Sequence, residues 1–276
     1  MSTASPRTWF ITGVSSGIGR ATAQAALARG ERVIGTLRQA AQCADFEALQ
    51  PGRAHAVLLD VSDAVRVTEV VDAAFAAHGR IDVIVNNAGF VLLGSIEETA
   101  DDEARRLFDT NFFGLLSVTR ACLPHLRRQG GGHIINVSST VGLCGTPGTP
   151  LYAASKFAVE GLSEALQAEV TGLGIRVTVI EPGAVNSSFA ASAVEVRRRL
   201  PEVYPMTSGG VDRDGLQHFY ATAADTGPTV TAILEAVDAA QPPLRMIAGA
   251  EAVAAARAKA EQLTTAAAEA QVRLAN

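Results

Sequence analysis

The sequence is poor in the residues that mark disulfide-rich or metal-binding proteins. It has three cysteines, Cys43, Cys122 and Cys144, an odd number at wide spacing. This pattern argues against a disulfide framework or a zinc site and favours free thiols in a reducing compartment. The five histidines show no metal-ligand spacing either. We therefore expect no metal site.

The sequence also lacks a large charge excess and any long apolar run. The formal net charge of −5 gives no electrostatic reason to expect nucleic acid or an anionic membrane as a partner. No apolar run approaches the ~20 residues that cross a bilayer, and the N-terminus lacks the apolar segment of a signal peptide. Because 48% of the residues are hydrophobic, the chain can bury a sizeable core. We expect a cytoplasmic protein.

Short apolar runs alternate with helix-compatible stretches over the first two thirds of the chain. The β-rich runs lie at residues 8–12, 32–37, 54–59, 81–85, 133–137 and 176–180. The helical patterns between them cover residues 18–29, 65–78, 101–108, 111–129 and 152–173. Several strands are apolar throughout, which is typical of a parallel sheet covered on both faces. The pattern therefore predicts an α/β fold.

The alternation loosens after Gly183. Residues 184–226 mix helix-compatible pieces with several prolines and glycines, and we interpret them as a substrate lid rather than a second domain. A regular pattern resumes with a helix over 228–240, a strand candidate over 244–247 and an alanine-rich helical tail over 250–274. We expect a single domain that spans the whole chain.

A glycine-rich loop joins the first strand to the first helix. Glycines there permit positive φ and close approach of a ligand, and the helix N-terminus offers unpaired N–H groups to an anion. The spacing is G-x-x-x-G-x-G rather than the commoner G-x-G-x-x-G. The context predicts a dinucleotide site. Its candidate residues are Thr12, Gly13, Ser15, Ser16, Gly17, Ile18 and Gly19.

The end of the second strand indicates which dinucleotide is bound. NAD sites tend to carry a carboxylate there for the ribose 2′-hydroxyl, whereas NADP sites use arginine for the 2′-phosphate. This chain has Arg38 at that place and no acidic residue beside it. Because a guanidinium can bind phosphate through two parallel hydrogen bonds, Arg38 favours NADP(H).

Tyr152 and Lys156 lie four residues apart at the start of a predicted helix, so they share one face. A nearby cation favours the phenolate, and a positioned phenol can exchange a proton with a substrate oxygen. Taken alone, this pair is more often part of a solvated helix face, because the pattern is short and common. The rest of the chain has to decide between these interpretations.

The chain resembles the short-chain dehydrogenase/reductase family in an ordered set of motifs. They are TGVSSGIG at 12–19, DV at 60–61, NNAG at 86–89, Asn111, INVSS at 135–139, YAASK at 152–156 and EPG at 181–183. The resemblance extends from Thr8 to about Gly183. It implies a Rossmann-type doubly wound fold with a seven-stranded parallel sheet of order 3-2-1-4-5-6-7. It also implies reversible hydride transfer between a nicotinamide and an alcohol/carbonyl pair.

The resemblance implies roles for individual residues. Tyr152 matches the general acid/base, and Lys156 matches the lysine that binds the nicotinamide ribose and lowers the tyrosine pKa. Ser139 matches the serine that hydrogen-bonds the substrate oxygen, with the neighbouring Ser138 as the alternative. Asn111 matches the residue that organises a water chain to the lysine.

The resemblance also implies contacts to the dinucleotide beyond the glycine-rich loop. These contacts fall on Asp60, Val61, Asn87, Ala88, Gly89, Pro182, Gly183, Val185 and Ser187. Ser187 departs from the family, which often has threonine there, although the hydroxyl is kept.

These observations favour an NADP(H)-dependent reductase of a small-molecule ketone or aldehyde. We expect an apolar substrate, because apolar residues lie where the pocket wall should be: Val91, Leu92, Leu93, Val141, Leu143, Phe189 and Phe219. The alternatives are an NAD(H)-dependent alcohol or hydroxysteroid dehydrogenase, a non-catalytic NADPH-binding scaffold, and an epimerase or dehydratase on a related fold. The resemblance also implies a homodimer or homotetramer.

Overall fold

The structure, a computed structural model, describes residues 6–185, 193–205, 223 and 225–275. Its strands are β1 (Thr8–Ile11), β2 (Arg32–Leu37), β3 (Ala54–Leu58), β4 (Val83–Asn86), β5 (Leu92–Leu93), β6 (Gly132–Val137), β7 (Ile175–Pro182), β8 (Val194–Glu195) and β9 (Arg245–Ala248). Its helices are α1 (Gly17–Ala28), α2 (Cys43–Glu47), α3 (Ala64–His78), α4 (Asp101–Phe108), α5 (Leu115–Arg128), α6 (Pro150–Val170), α7 (Gly227–Asp238) and α8 (Ala250–Ala275).

Seven of these strands form one parallel sheet of order β3-β2-β1-β4-β6-β7-β9. This order confirms the predicted 3-2-1-4-5-6-7, because β5 and β8 pair with each other outside the sheet. In the centre, Phe10 of β1 lies between Ile34 of β2 and Ile84 of β4. The chain order reverses at β1, so a crevice for ligands opens at the carboxyl ends of β1 and β4.

The sheet is covered on both faces, as continuous apolar strands require. One face packs against α3, α5 and α6 through residues such as Val70, Val118 and Leu166. The other face packs against α1, α2 and α7 through residues such as Leu27 and Phe46. The core therefore consists of two apolar clusters, one on each face of the sheet.

The structure shifts several predicted boundaries. The helix predicted over 111–129 begins as a π-helical turn, Asp109–Gly114, before α5. The helix predicted over 152–173 begins earlier, because Pro150 suits the first helical turn, and ends in a 3₁₀ turn at Thr171–Leu173. Helix α8 matches the predicted tail, and most of its residues beyond Ala252 are exposed.

The small β5–β8 sheet was not predicted. It pairs Leu92 with Val194 and Leu93 with Glu195 in parallel register. Residues 206–222 of the predicted lid lie outside the described residues. Among the described helices, none is long and apolar enough to span a bilayer.

Candidate active site

A cleft at the carboxyl edge of the sheet begins with the loop between β1 and α1. Gly13, Ser15, Ser16, Gly17 and Ile18 line it. Gly13 and Gly17 have φ values of 73° and 59°, in the left-handed region that glycine adopts without strain. Ser16 precedes α1 without capping it through its side chain, and the first turn carries no acidic residue. The start of α1 is therefore open to an anionic group.

Two other predicted loop residues lie behind this surface. The Oγ1 of Thr12 accepts hydrogen bonds from the N–H groups of Asn87, at 2.9 Å, and Ala88, at 3.0 Å. A Cβ on Gly19 would lie 2.3 Å from the carbonyl oxygen of Gly13. Thr12 and Gly19 thus hold the loop against the end of β4 and do not line the cleft themselves.

The segment after β4 continues along the cleft with Asn87, Ala88 and Gly89, as predicted. The Nδ2 of Asn87 donates to the carbonyl oxygens of Thr12, at 2.9 Å, and Gly13, at 3.0 Å. This amide therefore fixes the glycine-rich loop to β4 from the cleft side.

Arg38 stands at the mouth of the cleft, after β2. Its exposed guanidinium makes no hydrogen bond or ion pair with any residue in the part of the chain that the structure describes. Asp60 and Val61 line the cleft nearby. Burial acts to raise the pKa of Asp60, but hydrogen bonds from Ser62 and the positive charge of Arg38 outweigh it and lower the pKa. Arg38 is thus an open cation at the cleft mouth.

Tyr152 and Lys156 line the inner end of the cleft and are 7% and 5% exposed. The Nζ of Lys156 lies 5.8 Å from the centroid of the Tyr152 ring and donates to the carbonyl oxygen of Val137 at 2.9 Å. Burial lowers the pKa of Lys156 to about 8, although the Glu160 carboxylate acts against this shift. An ammonium held this close to a phenol favours the phenolate.

Both candidate serines reach the cleft from the end of β6. Ser139 precedes a short 3₁₀ turn, and its Oγ accepts from the N–H of Val141 at 3.4 Å. Ser138 is 3% exposed, and its Oγ has no hydrogen-bond partner among the described residues. Both serines therefore line the same cleft as Tyr152 and Lys156.

Asn111 does not line the cleft, although the neighbouring Thr110 does. It lies buried in the π-helical turn, where its Oδ1 accepts from the N–H of Phe90 at 3.0 Å and its Nδ2 donates to the Phe90 carbonyl at 2.9 Å. Its Nδ2 also lies 3.3 Å from the Oγ of Ser155, which donates to the Tyr152 carbonyl. Asn111 therefore connects the segment after β4 to α6.

The far end of the cleft is formed by Pro182, the last residue of β7, and by Gly183 and Val185, which follow it. The Oγ1 of Thr140 donates to the Pro182 carbonyl at 2.9 Å, and the N–H of Gly183 donates to the Ala248 carbonyl. Ser187 lies outside the described residues.

Six further lining residues were missed in the sequence. They are Thr36, Leu37, Leu59, Phe90, Thr110 and Val137. Most of them end a strand or adjoin a motif, so the carboxyl ends of the predicted strands were the available signal. Thr36, near the end of β2, is one example. Its Oγ1 accepts a hydrogen bond from the N–H of Gly13 at 3.1 Å and so contacts the glycine-rich loop. No group of three metal-ligating side chains occurs among the residues that the structure describes.

The predicted apolar wall has a different arrangement from the one expected. Val91, Leu92 and Leu93 are at most 3% exposed and pack with Val196 and Tyr152 in a cluster of their own. They support the wall from behind, because pairing of β5 with β8 covers them. Val141 packs against the same cluster. Phe189 and Phe219 fall outside the described residues.

Residues 193–205 are tied to the segment before and within α4. Arg197 forms an ion pair with Asp102 at 2.5 Å, and its N–H donates to Glu103 Oε1 at 2.9 Å. The N–H of Leu200 and the hydroxyl of Tyr204 donate to glutamates of residues 97–98. Polar contacts at the surface therefore fix residues 193–205 against α4 and the segment before it.

The chain matches one protein-family model and is similar to many known proteins. A family model described as short chain dehydrogenase matches residues 7–198. A protein called oxidoreductase BOA17, from Botryotinia fuckeliana, is 36% identical over 257 residues, 93% of each chain. Human retinol dehydrogenase 8 is 34% identical over 259 residues, 88% of this chain and 81% of that protein.

Solved structures resemble the whole chain and its cleft-bearing part. A short-chain dehydrogenase from Streptomyces avermitilis has a TM-score of 0.89 at 36% identity and covers 100% of this chain and 99% of its own. ElxO, solved with NADP bound, has a TM-score of 0.64 at 26% identity over 70% of this chain and 87% of its own.

Proposed function

We propose a specific reaction for this chain, which belongs to the short-chain dehydrogenase family and is an oxidoreductase. The reaction is the NADPH-dependent reduction of a ketone or aldehyde carbonyl on an apolar small molecule. The observation that carries the proposal is the buried Tyr152–Lys156 pair at the inner end of a glycine-lined cleft. A phenol beside an ammonium at such a place can deliver a proton to a substrate oxygen.

The cleft fits a nicotinamide dinucleotide. Its loop is a close cradle, since a Cβ on Gly13 would lie 3.1 Å from Ala88 Cα. The open start of α1 would hold the diphosphate, Asp60 and Val61 the adenine, and Lys156 the nicotinamide ribose. When bound, the reduced dinucleotide supplies a hydride to the carbonyl carbon.

Arg38 supports NADP over NAD. Its guanidinium is exposed at the cleft mouth and makes no hydrogen bond or ion pair with the described residues, while its charge lowers the pKa of the nearby Asp60. It can therefore bind a 2′-phosphate without breaking an existing ion pair. No carboxylate follows β2 to accept a ribose 2′-hydroxyl instead.

Tyr152 gives the proton. In the reductive direction its hydroxyl donates to the carbonyl oxygen, and the phenolate left behind is stabilised by Lys156. A free phenol has a pKa of about 10, and each unit of lowering corresponds to ~1.4 kcal/mol of preference for phenolate. The Ser139 hydroxyl donates a hydrogen bond to the negative charge that develops on the substrate oxygen. Oxidation of the alcohol follows the reverse path.

The apolar character of the substrate is supported by the wall of the cleft. The β5–β8 cluster places Tyr152 against leucine and valine side chains, and Phe90 and Val185 line the cleft itself. The relative named retinol dehydrogenase 8 agrees with this choice, because retinol is a long apolar alcohol.

A carbonyl panel tests the proposal. Purified protein is mixed with NADPH or NADH and with ketones and aldehydes that range from long-chain and aromatic to small and polar. We expect loss of NADPH absorbance with the apolar members, at least about tenfold faster than NADH loss. Tight NADPH binding without oxidation by any carbonyl would favour the non-catalytic scaffold.

A further inference from the structure

A buried cluster of charged side chains adjoins Lys156 outside the cleft lining. Glu160 lies one turn after Lys156 in α6, Glu181 lies near the end of β7, and Arg245 begins β9. The side chains of Glu160 and Glu181 are 6% and 0% exposed. The Nη1 of Arg245 contacts both carboxylates, with Glu181 Oε1 at 2.6 Å, and its Nη2 reaches Glu164 at 2.5 Å.

One guanidinium thus serves two buried carboxylates, and it does not satisfy them. Glu160 Oε1 and Glu181 Oε2 accept no hydrogen bond from the described residues. A buried carboxyl group beside another negative charge resists ionisation, so Glu160 tends to retain its proton. Burial raises the pKa of Glu160 to about 7 and the Glu181 carboxylate adds to the shift, whereas Ser138 and Arg245 oppose it.

Gly142 brings Glu160 and Lys156 close to the same point. A Cβ on Gly142 would lie 2.6 Å from Ser138 Oγ, 3.2 Å from Lys156 Cβ and 3.3 Å from Glu160 Cγ. Gly142 ends the 3₁₀ turn Thr140–Gly142, and because it has no side chain, Ser138, Lys156 and Glu160 can pack around it. The electrostatic field of Glu160 reaches Lys156 through buried, poorly screened surroundings.

We propose that Glu160 is a positioning residue that keeps the proton on Lys156. The inference rests on the proposed function in one respect. In that function, the protonated Lys156 side chain stabilises the Tyr152 phenolate. As the pH rises through neutrality, Glu160 loses its proton. The negative charge gained then stabilises the Lys156 ammonium in the pH range where burial alone would discharge it.

The groups that face Glu160 are few. Lys156 and Glu164 come from its own helix, Glu181 from β7, Arg245 from β9 and Ser138 from the end of β6. Arg245 keeps its charge throughout this pH range, because arginine does not titrate there. The change in charge near neutral pH is therefore that of Glu160.

The titration of Lys156 can be measured directly, because Lys156 and Lys259 are the two lysines of the sequence. The full-length protein, labelled with ¹³C at lysine Cε and free of cofactor, is titrated by NMR. In the wild type, the Lys156 resonance should show a first inflection near neutral pH, from ionisation of Glu160, before the inflection of Lys156 itself. A single inflection with no response near neutrality would overturn the proposal without any variant.

Substitutions separate charge from structure. Glu160→Gln should lower the titration midpoint of Lys156 by roughly one pH unit or more and leave Lys259 unchanged. The matched control is Glu164→Gln, because Glu164 binds the same arginine but is 56% exposed. It should leave the Lys156 midpoint in place, and Glu160→Asp, which keeps the charge, should keep the midpoint near that of the wild type.

An unmoved midpoint in Glu160→Gln, or an equal change in Glu164→Gln, would overturn the proposal. Because no cofactor or substrate is present, failure of the carbonyl panel would leave this titration interpretable. The two proposals can therefore fail separately.

Discussion

The floor of the cleft, formed by the loops after β1, β4 and β7, is held by hydrogen bonds between side chains and the backbone, whereas the wall beside it is held by apolar packing and surface ion pairs. On the floor, Asn87 donates to two loop carbonyls and Thr12 accepts from two N–H groups. In the wall, β5 and β8 pair over two residues each, and Arg197 forms an ion pair with Asp102, whose side chain is 68% exposed.

Under the proposed function, we expect this difference to separate the residues that bind the dinucleotide from the residues that select the substrate. Surface ion pairs contribute little to stability, typically about 0–1 kcal/mol, whereas a buried donor or acceptor left unpaired costs about 1–3 kcal/mol. The floor therefore tolerates little change, while the wall can change without loss of the fold. We expect variants of the floor to affect the cofactor and variants of the wall to affect the substrate.

A pair of glycine substitutions tests this separation with the largest expected effect. A Cβ on Gly19 would lie 2.3 Å from the Gly13 carbonyl oxygen, and one on Gly94 would lie 2.5 Å from Val196 Cγ2. Gly19→Ala should weaken NADPH binding by about 100-fold or more, or ~2.7 kcal/mol. Gly94→Ala should leave NADPH binding intact and raise KM for the carbonyl. Fluorescence titration with NADPH measures the first effect, and loss of NADPH binding in Gly94→Ala would contradict the separation.

Arg38, at the mouth of the cleft, gives a second test with a smaller expected effect on NADPH affinity. Arg38→Asp should weaken NADPH binding by about 10- to 100-fold, because a carboxylate repels the 2′-phosphate. NADH binding should change little. Arg32→Asp is the matched control, since Arg32 is exposed at the opposite end of β2. Equal losses for both dinucleotides would remove Arg38 as the selectivity residue.

The wall should give the smallest effect. Arg197→Gln removes the ion pairs that the guanidinium makes with Asp102 and Glu103 but keeps the backbone N–H bond to Glu103. It should raise KM for an apolar carbonyl by about two- to fivefold. NADPH affinity should stay as in the wild type. Arg198→Gln, at the exposed neighbouring position, serves as the control. A fall in kcat with unchanged KM would mean that residues 193–205 act on the chemistry instead.

Most residues that line the floor belong to motifs that could be found in the sequence. Parallel strands end at one edge of a sheet, so motifs that follow successive strands must meet there. The pattern did not distinguish residues on the surface, such as Gly13, from residues behind it, such as Thr12 and Asn111. That distinction depends on which way each side chain turns within its loop.

The wall could not be predicted in the same way. Leu92 and Val194 are far apart in the chain, and strands of two residues leave no periodic signal. The apolar character of residues 91–93 was evident, but burial by β8 and exposure to a substrate give the same sequence pattern. The cluster of Glu160, Glu181 and Arg245 was hidden for a related reason, because it joins three separate elements.

The central claim is that Tyr152 transfers the proton while the floor of the cleft binds the dinucleotide independently. The most direct test compares the wild type with Tyr152→Phe, in NADPH titration and in carbonyl reduction under single-turnover conditions. We predict an unchanged NADPH dissociation constant and a reduction rate lower by about 10³-fold or more. A Tyr152→Phe rate close to that of the wild type, with NADPH bound, would contradict the account.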